Sequence, residues 1–383
     1  MDRCRSCGRP RQGTKPTPRQ RHRPAPRPLA ANSDLRPVRG GGANGGGKVK
    51  RTIAATLVLS FLSVLGTPAL AQTIKLGTLA PEGSPWYNII RDMAEAWKAG
   101  TGGKVRVRIY PGGVAGDDPD MVRKMRIGQL HAAVLSGAGL SNIAQETMAL
   151  QMPMMLASYE ELDYVRGRLA PKLEAILEAK GFKVLNWGDA GWVHFFTQTP
   201  VVRPEDLRPM RLFVWSGDTA FVEAWKDAGY RPVPLAATEI HTALQSGLIN
   251  ALPTTPLAAL SFQWFGLAKH MTDLKWAPLI GATVISTRMW RRIPDDVKPL
   301  LVESAQKAGA RIRGETRKLG EEAVEAMKKY GLVVHHVPPE VVAHWEKRAR
   351  AGYPKLLGKV VPAALVAEVE RLRNEYRASQ IAK

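Results

Sequence analysis

From Val233 to Pro256 the chain reads VPLAATEIHTALQSGLINALPTTP, and this stretch constrains the fold more than any other. Val233 and Leu235 give a short extended run. Thr238 is placed to cap a helix by accepting a hydrogen bond from a free backbone N–H. Ile240, Ala243 and Leu244 follow at i, i+3 and i+4, which gives that helix one apolar side. Gly247 stands where a left-handed residue would close it. Leu248, Ile249, Ala251 and Leu252 then make the apolar run of a buried parallel strand, and Pro253-Thr254-Thr255-Pro256 stops it. In open α/β sheets the loop beyond the carboxyl end of such a strand is where ligands bind. On periodicity alone, an ordinary crossover closed by a rigid proline loop is the first reading of the same residues.

The same alternation runs through the rest of the chain. Thr73 to Leu79 alternates apolar and polar residues as a first strand. Ser84 and Pro85 open a helix whose buried face is Trp86, Ile89, Ile90, Met93, Ala94 and Trp97. Lys104–Tyr110 is a second strand, Asp118-Pro119 opens a second helix, and His131–Leu135 is a third strand ending in the small-residue loop Ser136–Gly139. A helix over Tyr159–Lys180 precedes strands at Lys183–Trp187, Val193–Thr197 and Arg211–Val214. Later come a strand at Gly281–Ser286, a long amphipathic helix over Asp295–Lys329, and helices over Pro339–Arg350 and Pro362–Arg377. Strands and helices in turn at this spacing predict an α/β protein with a parallel sheet.

The net charge of +21 invites a nucleic-acid or membrane reading until it is located. Residues 1–51 hold 14 of the 55 lysines and arginines and 2 of the 34 acids, and residues 52–71 hold no charge. The remainder carries +9 without any basic cluster interleaved with aromatics, so no nucleic-acid partner is expected. Lys48, Lys50 and Arg51, the apolar run Ile53–Leu65 and Ala69-Leu70-Ala71 are the three parts of a secretory signal peptide spanning residues 49–71, cut after Ala71. The apolar run is too short for an ordinary membrane span, so no stable insertion is expected. The Arg-, Pro- and Gly-rich residues 1–48 cannot bury enough surface to fold. They are read as a gene-start error, with Val49 as the true start. The only cysteines, Cys4 and Cys7, lie in that segment, so the exported chain is expected to carry no disulfide.

Catalytic and metal signatures are missing. The eight histidines include no H-E-x-x-H, and there is no G-x-S-x-G, Walker loop or G-x-G-x-x-G. Glu82, Asp189 and Asp218 are carboxylates that nothing in the sequence pairs. No cofactor and no metal are expected. Aromatics are more informative. Trp86, Trp192, Trp215, Trp264, Phe196 and Phe265 fall at strand ends or loop edges. Any one of them reads first as core, but several converging on a cleft make the apolar wall of a small-molecule pocket.

Several segments, in order, resemble the solute-binding proteins of TRAP transporters, the DctP family. They are Thr73–Gly83, Gly128-Gln129-Leu130 with Pro153 after it, Trp187-Gly188 leading to Phe196-Thr197, and Pro204–Leu207 before Arg211. The Glu239–Asn250 stretch with its proline-bounded loop and Trp290-x-x-Ile293-Pro294 complete the set. The resemblance covers nearly the whole exported chain. It implies a two-lobed periplasmic binding protein fold with hinge strands and a long hinge-spanning helix. Residues 72–192 with 281–330 would form one lobe and 193–280 the other, with 331–383 as C-terminal helices packing on both. It implies a periplasmic protein that captures a small solute and delivers it to the membrane subunits of a TRAP permease. A ligand-binding partner of a membrane sensor and a secreted lyase or hydrolase are the alternatives.

One departure bears on the ligand. The family pattern K-I-R-V-P, whose arginine holds an organic acid, is here Arg211-Leu212-Phe213-Val214-Trp215, so Phe213 replaces that arginine. A second family arginine, near Val193 and His194, is also missing. A carboxylate buried without a partner costs several kcal/mol. Three explanations stand: a neutral or largely apolar ligand, Arg211 reaching in from the adjacent position, or a bridging metal ion. By family position the ligand-contacting residues are expected to be Glu82, Trp86, Ser136, Trp192, His194, Arg211, Phe213, Trp215, Asp218 and Thr255.

Overall fold

A computed structural model describes residues 71–381 apart from Asp218. The expected leader, the segment before it and both cysteines lie outside the described residues. Among the described residues nine strands form one mixed sheet in the order β2-β1-β3-β8-β4-β7-β5-β6, with β9 pairing β8. On one side, β1 (Gln72–Thr78), β2 (Val105–Tyr110) and β3 (Ala132–Ser136) are parallel. On the other, β5 (Arg211–Trp215), β6 (Arg231–Leu235) and β7 (Ala251–Thr254) are parallel. Two long antiparallel strands, β4 (Phe182–Thr197) and β8 (His270–Ser286), join the two sets, and the short β9 (Val333–His336) adds to β8.

The sequence reads β4 as two strands because Gly188-Asp189-Ala190-Gly191 looks like a break. In the structure the pairing with β8 resumes beyond it, with a register shift between Asp189 and Trp192. Gly191, at a φ of +101°, helps to absorb the one extra residue as a bulge. β8 likewise begins well before the expected Gly281. Local pattern misses such strands because their pairing is with residues about ninety positions away.

Helix formation follows sequence closely where a cap and an apolar face coincide. α1 (Pro85–Gly100) starts at Ser84, whose hydroxyl accepts from the Tyr87 N–H, and it buries Ile89, Ile90, Met93, Ala94 and Trp97. α2 (Asp118–Arg126) starts at Asp117 and buries Met121, Val122 and Met125. Ser136 does not open a loop: its hydroxyl caps α3 (Gly137–Ile143). α4 (Tyr159–Ala179), α5 (Thr219–Asp227), α6 (Ile240–Gln245), α7 (Pro256–Ser261) and α8 (Thr287–Trp290) follow. α9 (Lys298–Lys328), α10 (Pro339–Leu356) and α11 (Ala363–Ile381) end the described chain.

Three details of the 233–256 stretch differ from expectation. Thr238 does not cap α6; the Glu239 carboxylate instead accepts from the Ala236 N–H at 3.0 Å. Leu248 is exposed, and Pro253 sits within β7 rather than ending it. Gly247 does take a φ of +70°.

Apolar packing divides at β4 and β8. Ile74, Leu76, Trp97 and Ile285 pack against the first half of α9 at Leu301 and Ala305. Phe196, Ile240, Leu244 and Leu252 pack against its second half at Ala323 and Met327. At about 1.5 Å per residue α9 is roughly 46 Å long, enough to run past both strand sets. It lies hard against β4. A Cβ added to Gly309 would stand 2.8 Å from the Trp187 carbonyl oxygen, so only glycine fits there. Asn186 donates to the Ala305 carbonyl at 2.8 Å across the same contact. On the opposite face α10 covers Phe195, Leu212 and Tyr230 with Trp345, and α11 packs with α4 through Val369 and Leu372.

Candidate functional site

The carboxyl ends of β1, β3, β5 and β7 face one another around β4 and β8, and a cavity of about 150 Å³ lies between them. Ala80, Trp86 and Ser136 line one wall; Phe213, Trp215 and Ile240 line the other. The floor comes from Gly188 to Ala190 of β4 and Leu279 to Thr283 of β8. This is where the alternation of strands and helices places a ligand site. Among the described residues no lysine or arginine lines it. A second cavity of about 460 Å³ adjoins it, sharing Phe213, Trp215, Pro253, Thr254 and Leu279.

Each wall residue is set by local structure. Trp86 is the second residue of α1, and its indole N–H donates to the buried Thr316 hydroxyl of α9 at 3.1 Å, which aims the ring. Phe213 and Trp215 meet edge to face at 5.4 Å. They are two apart on β5 and so share a face. Ser136 ends β3, and its hydroxyl donates to the Asp118 carboxylate. Asp118 is wholly buried; burial pushes its pKa up to about 7 despite the Ser136 hydroxyl, and the neighbouring Asp117 pushes the same way. Asp117 in turn accepts from the Ala237 N–H at 3.0 Å, which ties the start of α2 to the turn before α6.

Of the ten residues expected to contact ligand, four line the 150 Å³ cavity: Trp86, Ser136, Phe213 and Trp215. Five are placed elsewhere. Glu82 is exposed in the loop before α1. Trp192 is 4% exposed and packs on Tyr159 at 5.6 Å, because the bulge at Gly191 turns it into the core. His194 is buried against the Thr272 carbonyl at 3.2 Å, and burial drops its pKa to about 4. Arg211 is exposed and donates to the Gly247 carbonyl at 2.7 Å, so it does not stand in for the missing family arginine. Thr255 is fully buried and caps α7. Asp218 lies outside the described residues. Among the described residues there is no cluster of three or more metal-ligating side chains.

Sequence reading overlooked the charge cluster behind the cavity. Arg317 of α9 donates to Asp163 at 2.7 and 2.8 Å and to Asp189 at 3.0 Å, and its guanidinium lies 4.3 Å from the Tyr159 ring centre. Arg166 bonds the same two carboxylates. Burial raises the Asp189 pKa while Arg317 and Arg166 oppose it. The only local signal was i,i+3 spacing of Asp163 and Arg166; Asp189 and Arg317 are 128 residues apart.

The model of the bacterial extracellular solute-binding proteins, family 7 (DctP), matches residues 76–359. The chain belongs to that family. It is 26% identical over 306 residues to the C4-dicarboxylate-binding periplasmic protein DctP of Rhodobacter capsulatus, covering 78% of this chain and 91% of that one. Among solved structures it resembles a TRAP periplasmic solute-binding protein from Ralstonia eutropha H16 holding (S)-2-acetolactate. The TM-score is 0.74 at 22% identity, over 79% of this chain and 99% of that one. It also resembles the sugar acid binding protein DctPAm of Advenella mimigardefordensis in complex with galactonate, with a TM-score of 0.75 at 18% identity, over 80% and 98%. The single mixed sheet is therefore that of the TRAP periplasmic binding proteins. As a DctP-family protein the chain is the solute-binding component of a TRAP-type transporter and serves membrane permease subunits. No described helix is long and apolar enough to cross a membrane.

Proposed function

We propose that this DctP-family protein captures its solute in the ring-walled cavity at the carboxyl ends of β1, β3, β5 and β7, without converting it. The carrying observation is the lining: Trp86, Phe213 and Trp215 with the Ser136 hydroxyl, and no lysine or arginine. Its relatives hold small acids, among them acetolactate, galactonate and succinate. A wall without a cation favours a solute more apolar than those, with any carboxylate held outside the 150 Å³ cavity. The lobes are 72–192 with 281–330 and 193–280, hinged within β4 and β8, with the chain after 331 packed upon them; closure about such a hinge is the usual way this architecture traps a guest. Secretion follows cleavage after Ala71, and an intact mass of the exported protein beginning at Gln72 is the expected result.

Native mass spectrometry of the protein as purified tests capture: a retained small molecule of unchanged mass after incubation is expected. Turnover of that molecule by the purified protein would overturn the non-catalytic reading. Thermal stabilisation on adding it back should follow its concentration, as mass action requires of anything that binds only the folded state.

A further inference from the structure

The 460 Å³ cavity adjoining the cleft has the size of an ordinary ligand site. Its walls are rings. Trp225 meets Tyr230 edge-on at 5.0 Å and Trp276 at 5.7 Å, and Trp276 meets Trp345 at 5.9 Å. The charged residues lining it are Asp227, Arg348 and Lys355. Lys355 is engaged with Asp227 at 3.2 Å, so those two cancel. Arg348 is half-buried on α10 and makes no ion pair among the described residues. It stands beside the Tyr230 hydroxyl, whose pKa burial raises and Arg348 opposes. The nearby Glu205 carboxylate is bonded to His344 at 3.0 Å; burial works to raise its pKa, but that bond and the charge of Arg348 help to hold it below the ordinary value. The cavity is thus a largely apolar box whose one cation outside an ion pair among the described residues is Arg348, and it adjoins the cleft at Phe213 and Trp215.

We infer that the solute is a monocarboxylate with an aromatic or other cyclic apolar body, its ring packed against the wall that the tryptophans form and its carboxylate on Arg348. This rests on the reading of the chain as a solute carrier and narrows it. A guanidinium binds a carboxylate through two parallel hydrogen bonds, the strongest pairing available to it. A second carboxylate, or the hydroxyls of a sugar acid, would meet indole faces that offer few partners, and unpaired polar groups are what such a wall rejects. Such an acid spans the two adjoining cavities, with its carboxylate in the larger one.

The test is titration calorimetry of the purified exported protein with 3-phenylpropionate, 3-phenylpropionamide and succinate, repeated on Arg348→Met and Arg348→Lys. Wild-type protein should bind 3-phenylpropionate at least about tenfold more tightly than the amide, the scale of a charge-assisted bond. Arg348→Met should lose about that factor for the acid and leave the amide unchanged, and Arg348→Lys should recover part of it. Succinate bound more tightly than 3-phenylpropionate, an amide as good as the acid, or an acid affinity indifferent to Arg348→Met would each overturn the inference. So would failure of 3-phenylpropionate to bind at millimolar concentration. Native mass spectrometry separates this from failure of the wider reading. A co-purified neutral or polyhydroxy solute would sink the monocarboxylate and leave the carrier standing, whereas a protein that retains no solute and is stabilised by no probe would count against both.

Discussion

The cleft wall and the charge cluster behind it lie a few residues apart on β4, yet they are opposites. Gly188 to Ala190 line a ring-walled space without lysine or arginine among the described residues, while the Asp189 side chain joins Asp163, Arg166 and Arg317 in a compact ion network. A buried carboxylate is tolerated only when paired, so Asp189 needs its arginines. The contrast teaches that the arginines nearest the solute path are engaged in holding α9 and α4 to β4. On the proposed reading, solute recognition is left to rings and to a cation from elsewhere in the chain.

Four experiments break or sharpen that contrast, and the largest effect is expected at the charge cluster. Arg317→Met removes the main partner of a carboxylate that is 2% exposed, and should destabilise the fold by about 3 kcal/mol in urea denaturation. Affinity for the co-purified solute should hold; if it collapses together with stability, the cluster belongs to the site and the contrast fails.

Next in size is Trp215→Ala. The ring is half-buried and meets the guest side of β5, so affinity should fall by about tenfold, of the order of an aromatic contact plus its buried area. The thermal midpoint of the solute-free protein should move little. An unchanged Kd would remove Trp215 from the wall that binds.

The pH dependence distinguishes two buried groups on either side of the sheet centre. His194 titrates near 4 in the fold against 6.5 ordinarily, so its contribution is present above pH 6.5 and is lost as pH falls toward 4. Asp118 titrates near 7 against 3.8, so the folded state holds the extra proton between those values, and its contribution is lost as pH rises through that window. The two slopes oppose each other between pH 4 and 6.5. Asp118→Asn should therefore expose the histidine's slope, with the thermal midpoint rising across that range more steeply than in the wild type. A parallel profile would mean that Asp118 is ionised in the fold.

The smallest expected effect is at Thr316→Val. It keeps the shape and removes the acceptor of the Trp86 N–H, costing about 1 kcal/mol. Solute affinity should weaken slightly more than stability does, because the lost bond aims a cleft ring. Equal losses would make the bond purely structural.

The residues themselves show why some of this was readable. Ser84-Pro85, Asp117 to Pro119 and Gly247 carry their structural instructions within a turn of chain, and α1, α2 and the end of α6 form where those residues stand. The 16-residue β4 was not readable as one strand, since only its partner β8 keeps Gly188 to Gly191 extended. Thr255 and Trp192 show the same limit at the site. Each sits where a cleft residue would sit by order in the chain, but one is consumed by a helix cap and the other is turned inward by a bulge.

Sequence by itself determined the alternation of strands and helices, the caps that start α1 and α2, and the loss of the arginine at Phe213. These depend on steric and hydrogen-bonding preferences that act over a few residues. Only the tertiary structure decided which rings share a wall, where Arg211 points, and that Arg317 meets Asp189 across 128 positions. Those outcomes depend on which distant segments the sheet brings within hydrogen-bonding reach, and no local pattern encodes that distance.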